Sequence, residues 1–151
     1  MLSVADDIGC HTSNLALNKI VYFLHGVYLA RTNERLVGAK IEAWEFGPVF
    51  REIYHAFKRF GEGSILGKAT FHDHESGSVA EYTWHLSAQD EVMLRKLAES
   101  YLRIRAGKLV DMSHVEDGPW HSAWYHEGRV NPGMEITDAA IRTHFAQSVR
   151  H

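Results

Sequence analysis

One cysteine, three prolines and a small excess of acids over bases exclude several kinds of protein. Cys10 cannot form an internal disulfide, which fits a reducing compartment, and no second cysteine exists for a CxxC zinc or redox site. His11 follows Cys10 directly, but a Cys–His nucleophile needs spatial pairing and an orienting third group, which adjacency in sequence does not supply. No apolar run reaches the roughly 18 residues of a membrane span. The longest stretch, Leu15 to Ala30, is interrupted by Asn18, Lys19 and His25. The opening MLSVADDIGCHTSN has two acids and no basic region before an apolar segment, unlike a signal peptide. Cytoplasmic localisation is therefore expected. With 16 Lys and Arg against 19 Asp and Glu, the formal charge of -3 argues against a general polyanion binder. Repeats, low-complexity tracts and Pro/Ser-rich linkers are also missing, so one domain over residues 1–151 is expected.

The residues present divide into helical and strand-like segments. From Asn14 to about Thr32, Leu17, Ile20, Val21, Leu24, Val27 and Tyr28 follow helical spacing, with Thr12, Ser13 or Asn14 available as N-cap. Leu15, Tyr22, Phe23 and Leu29 fall on its other sides, so this helix is expected to be central, with neighbours on several faces. AKIEAWEF (39–46) predicts a short strand, Gly47-Pro48 a turn, and 49–60 a helix with Pro48 at its first position. Glycine-rich residues 61–77 lead into a hairpin made of KATFHDH, a Ser-Gly turn and VAEYTWHL (79–86). Ser87-Ala-Gln-Asp90 resembles a capping box for a helix over about 88–106, which Gly107 would end. A short helix at 108–115, another from Pro119 and a last one from Thr137, with Ile141, Phe145 and Val149 spaced by four, complete the prediction.

Eleven histidines invite a metal, and His72 and His74 would share one face of a strand. Two ligands do not make a zinc site, which needs about three or four, so a solvated hairpin tip is the simpler reading and no metal is expected. HVEDGPWHSAW (114–124) is the densest chemical stretch: two histidines, two acids, a Gly-Pro break and two tryptophans. Its His114-Val-Glu116 resembles the HxE of zinc deaminases, but the partner PCxxC is missing. HExxH zincin and G-x-S-x-G nucleophile-elbow signatures are absent as well. Gly61-x-Gly63-x-x-x-Gly67 is one residue too long for a dinucleotide fingerprint and follows a helix, so it reads as a loop and no cofactor is expected. Arg51, Lys58 and Arg59 form a basic helical face without interleaved exposed aromatics, which reads as a solvated face and not as a nucleic-acid surface. Trp44, Trp120 and Trp124 lie at element ends, where a tryptophan serves either as a lid on the core or as an interface anchor.

Taken in order, LNKIVYFLHGVYLA (17–30), IEAWEFGPVFREIYHAFKRFG (41–61), LVDMSHVEDGPWHSAW (109–124) and a terminal helix with Ile141 and Phe145 resemble the Panacea domain of SocA-like antitoxins and of phage-associated GepA-like proteins. The likeness runs from about residue 13 onward, with a gap over 62–86. Members usually have a fuller first helix; here Val4 to Ile8 look like its final turns, so that helix is expected to be shortened. The resemblance implies an α+β, mainly α-helical fold: a compact helical domain with a small antiparallel β-sheet or hairpin. It also implies a type II antitoxin that neutralises a cognate protein toxin encoded by an adjacent gene through direct binding, in some members as an adaptor to a cellular protease. Carried over residue by residue, the candidate toxin-binding positions are Glu42, Trp44, Gly47, Pro48, His114, Glu116, Pro119 and Trp120. Scaffold roles compete for about half of them: Gly47 and Pro48 can set a turn and a helix start, Glu116 can satisfy N–H groups of the next helix, and Trp120 can be core. The alternatives are a small metal-dependent hydrolase using His114, Glu116 and His121, or a DNA-binding autorepressor.

Overall fold

The computed structural model describes residues 1–67, 70–72, 79–81 and 86–149. Its elements in order are α1 (Leu2–Asp7), α2 (Asn14–Thr32), β1 (Ile41–Trp44), β2 (Gly47–Phe50), α3 (Arg51–Phe57), β3 (Thr70–His72), β4 (Val79–Glu81), α4 (Ala88–Leu102), α5 (Ala106–Ser113), α6 (Pro119–Trp124), β5 (Met134–Glu135) and α7 (Asp138–Val149). This is a mainly helical α+β architecture with a three-stranded antiparallel sheet ordered β2-β1-β5 and a separate β3-β4 pair. The pair agrees with the expected second hairpin, whose turn, with His74, lies outside the described residues.

Helix α2 runs through the centre. The Ser13 side chain caps it by accepting from the Ala16 N–H at 3.3 Å, and Asn33 ends it in a left-handed conformation. Almost every residue from Asn14 to Leu29 is buried, as its all-round apolar pattern requires. Helices α4, α5 and α7 pack around it, with Phe23 stacked on Tyr101 at 5.1 Å and Tyr22 edge-on to Phe145 at 5.7 Å. Gly26 sets the closest approach: a Cβ there would lie 2.4 Å from the Phe145 ring. His25 is fully buried and joins the segment that follows α2 to the start of α7. Its Nδ1 accepts from the Val37 N–H at 3.2 Å, so Nε2 carries the proton and donates to Asp138 at 3.1 Å, while Arg35 holds the other Asp138 oxygen at 2.7 Å.

Three boundaries differ from the sequence prediction. Gly47-Pro48 does not open a helix. Residues 47–50 form edge strand β2, paired Trp44↔Gly47 and Ala43↔Pro48, and α3 begins only at Arg51. An edge strand tolerates proline because the missing N–H belongs to the row that has no neighbouring strand. Here that outer row is taken by side chains of α2: Lys19 Nζ donates to the Pro48 carbonyl at 2.9 Å, and the Phe50 N–H donates to Asn18 Oδ1 at 3.0 Å. Asn18 is itself held by Asn14, whose amide reaches the Tyr54 carbonyl in α3. Second, the helix predicted over 88–106 stops at Leu102, and α5 begins at Ala106 with Gly107 inside its first turn. Gly107 therefore does not end a helix, whereas Ser87 caps α4 as expected, accepting from the Asp90 N–H. Third, β5 has no counterpart in the prediction, because a two-residue strand carries no periodicity to read.

Overpacking at Gly26 is the sharpest test of the α2–α7 contact. Gly26→Val should destabilise the protein by about 1–3 kcal/mol, since forcing a branched side chain into Phe145 outweighs the few tenths of a kcal/mol gained in helix propensity. An unchanged urea midpoint would show that α7 does not lie where the structure places it.

Candidate functional site

The two motif segments identified in the sequence, whose tryptophans Trp44 and Trp120 are 76 residues apart, meet beside α2. The β1–β2 hairpin supplies Glu42, Trp44, Gly47 and Pro48; the end of α5 and the start of α6 supply His114, Pro119 and Trp120. Trp120 Nε1 donates to the Trp44 carbonyl at 2.9 Å. The His114 imidazole lies flat on the Trp120 indole, with centroids 3.6 Å apart and planes within 3°. Trp44 turns its own N–H to Glu42 Oε2 at 3.0 Å and meets the edge of Tyr54 at 4.8 Å, while Glu42 also faces Arg51 at 3.7 Å.

Gly47 closes the junction. Its φ of +102° is one that side chains rarely adopt, and a Cβ there would sit 2.5 Å from Ser113 Oγ, 2.7 Å from Lys19 Cε and 3.3 Å from His114 Nε2. Only glycine lets the hairpin, α5 and α2 touch at this point. Pro119 occupies the first turn of α6, where its missing N–H needs no partner.

Burial sorts the eight candidates. Glu42, Gly47, Pro48, Pro119 and Trp120 are buried, Trp44 and His114 are half-buried, and Glu116 is exposed. Trp120, only 4% exposed, belongs to the core side of the junction. The expected capping role of Glu116 is not realised: Gly118 is the N-cap of α6 and no side chain caps it. The Gly118 N–H is taken by the Val115 carbonyl at 3.0 Å in a tight turn.

Sequence reasoning missed Lys19 as a site residue. It is fully buried, and burial pushes its ammonium from the ordinary 10.5 down to about 7. The signal was visible as a lysine inside LNKIVYFL, where a charge in an apolar helix needs a partner, but the partner is a backbone carbonyl that no side-chain pattern announces. His114 also titrates below its usual range, chiefly through desolvation and then through the nearby Lys19 charge, with Asp111 opposing. Its Nε2 is buried without a hydrogen-bond partner among the described residues. Among the described residues, no three His, Cys, Asp or Glu side chains gather closely enough to hold a metal ion, so His114, Glu116 and His121 do not form a ligand set. The arrangement has the character of a rigid aromatic frame.

The family described as Antitoxin SocA-like, Panacea domain, matches residues 17–121, which include every junction just described. The chain belongs to this antitoxin family. A relative of the Panacea-domain chain, Antitoxin SocA of Caulobacter vibrioides (strain NA1000 / CB15N), is 31% identical over 146 residues, covering 96% of this chain and 78% of that protein. No solved structure matches this chain. The matched Panacea segment ends within α6, so β5 and α7, which pack on β1 and α2, lie beyond it.

Lys19 gives the Panacea domain a pH signature with a definite sign. Its folded value lies below its ordinary one, so between about 7 and 10.5 the unfolded chain holds a proton that the folded chain has released, and stability rises with pH across that window. Lys19→Met should flatten the rise in urea-unfolding free energy measured from about pH 7 to about pH 9.5. An identical slope in the variant would show that Lys19 is not buried as described.

Proposed function

We propose that this chain is the antitoxin of a type II toxin–antitoxin pair and neutralises a cognate protein toxin, encoded by an adjacent gene, by binding it directly in the cytoplasm. The binding face is the one framed by the β1–β2 hairpin and the α5–α6 turn. The observation that carries this reading is the Trp120–Trp44 bond, which joins two family segments 76 residues apart into one fixed surface. Family membership and the name of the SocA relative support the antitoxin role. The geometry supports a binding role, since five of the eight candidates are buried and hold the frame, while Trp44, His114 and Glu116 reach its surface. Stoichiometric masking needs a preorganised surface and no reacting group. Masking the toxin and handing it to a protease both begin with this contact.

Co-expression with the product of the neighbouring gene tests the reading. Wild type should protect growth and co-purify with that product. Trp44→Ala, with circular dichroism like wild type, should weaken binding by about thirtyfold or more and lose protection, the effect of truncating an interface tryptophan. Trp120→Ala would open the core at a cost of about 3–5 kcal/mol, so Trp120→Phe, which keeps most of the ring and loses the bond to Trp44, is the informative change there. A folded Trp44→Ala that still protects cells removes this face, and a wild-type chain that does not protect removes the antitoxin reading.

A further inference from the structure

His25 lies wholly inside the protein, and its two ring nitrogens are committed to partners of opposite kind. Nδ1 accepts from the Val37 N–H at 3.2 Å, and Nε2 donates to Asp138 Oδ1 at 3.1 Å. Only a neutral imidazole with its proton on Nε2 does both. The Val37 N–H can act only as a donor, so a second ring proton would set two donors face to face there. At Asp138 the same proton changes little, because the ring already donates and a carboxylate accepts from the charged form as well.

The two partners sit on segments that are held differently. Residues 33–40 form no regular element between α2 and β1, and of these only Val37 is buried. The other ties of this segment run from exposed residues: Arg35 to Asp138, Lys40 to Glu135, and Asn33 to Arg142. Helix α7 is anchored more firmly, with Ile141 and Phe145 buried against the core and the Ile141 N–H bonded to the Thr137 carbonyl. The charged groups that face the His25 ring are Asp138 from α7 and Arg35 from the 33–40 segment. Strand β2 presents only the edge of Phe50, at 5.7 Å, and Lys19 on α2 itself is turned to Pro48. Burial disfavours a ring proton more than Asp138 favours it, with Arg35 adding to the opposition, so the ring titrates below its ordinary 6.5.

We propose that His25 is a proton-operated latch: the neutral ring holds the 33–40 segment to α2 through Val37, and a protonated ring lets that segment go while α7 stays docked. The sign follows from where the proton is easier to hold. A released ring takes up a proton near 6.5 and the latched ring only at lower pH, so the latch is closed above about 6.5 and weakens as pH falls below it. The segment leads directly into β1, the strand that carries Glu42 and Trp44 and pairs with both β2 and β5. Acid therefore acts on the entry to the central strand of the sheet. The latch does not rest on the antitoxin reading, and either can fail without the other.

Amide hydrogen exchange of the full chain, followed by NMR and corrected for the intrinsic pH dependence, tests it. From about pH 7.5 to about pH 5.5 the Val37 N–H should lose protection roughly five- to tenfold, while the Ile141 N–H keeps its own. His25→Asn leaves an amide oxygen near the Nδ1 position to accept from Val37 but has nothing to titrate, so its Val37 protection should not vary with pH. Ring nitrogen shifts of wild type give a reading that needs no variant: a proton on Nε2 at neutral pH, and a midpoint below 6.5 that coincides with the loss at Val37. Constant Val37 protection in wild type, or Ile141 opening in step with Val37, overturns the proposal. So does a ring protonated on Nδ1 at neutral pH, a midpoint at or above 6.5, or a folded His25→Asn that keeps the wild-type pH dependence.

Discussion

The structure depends on how α2 grips the outer edge of β2. An edge strand carries a row of backbone groups with no strand to pair them, and when that row is buried each group must find another partner. Lys19 and Asn18 supply it, at Pro48 and Phe50, and Asn14 continues the same polar stripe to α3. Burying a lysine is unfavourable in isolation, and its proton affinity falls accordingly. What it secures is register: with Pro48 and Phe50 bonded to adjacent residues of one helix, the hairpin cannot slide along α2 without leaving buried groups unpaired.

The frame of the candidate site follows from that anchoring. Once β2 is held, Gly47 is pressed into the space between α2 and α5, where no side chain fits, and the Trp44 carbonyl is aimed at the Trp120 indole. His114 stacks flat on the same indole. The chain thereby converts punctuation residues, a Gly-Pro in each segment, into a fixed junction. A surface built this way would lose little conformational freedom on meeting a partner, which is what the binding role proposed above requires.

The central helix was legible because its residues satisfy helical spacing on several sides at once, a pattern that only a surrounded helix sustains. Ser87 and Pro119 were legible as helix starts because capping and first-turn chemistry are local. Residues 49–60 misled for the converse reason. Val49, Phe50, Ile53 and Phe57 fit a helical stripe, yet the first two belong to a strand, and only the pairing of Pro48 with Ala43 separates the two readings. Gly107 likewise has the character of a terminator, but the break falls at 103–105, just ahead of it.

Reading the residues in order was enough to find which segments carry the family likeness, where most helices lie, and that a Gly-Pro pair sits in each of the two segments rich in tryptophan, histidine and acids. These follow from side-chain spacing and local backbone preference, which act over a few residues. Tertiary structure decided that Trp120 faces inward, that Glu116 caps nothing, and that Lys19 belongs to the site. Each of these turns on a partner distant in sequence, often a backbone carbonyl or a glycine Cα, and backbone groups are identical at every position until the fold assigns them a place.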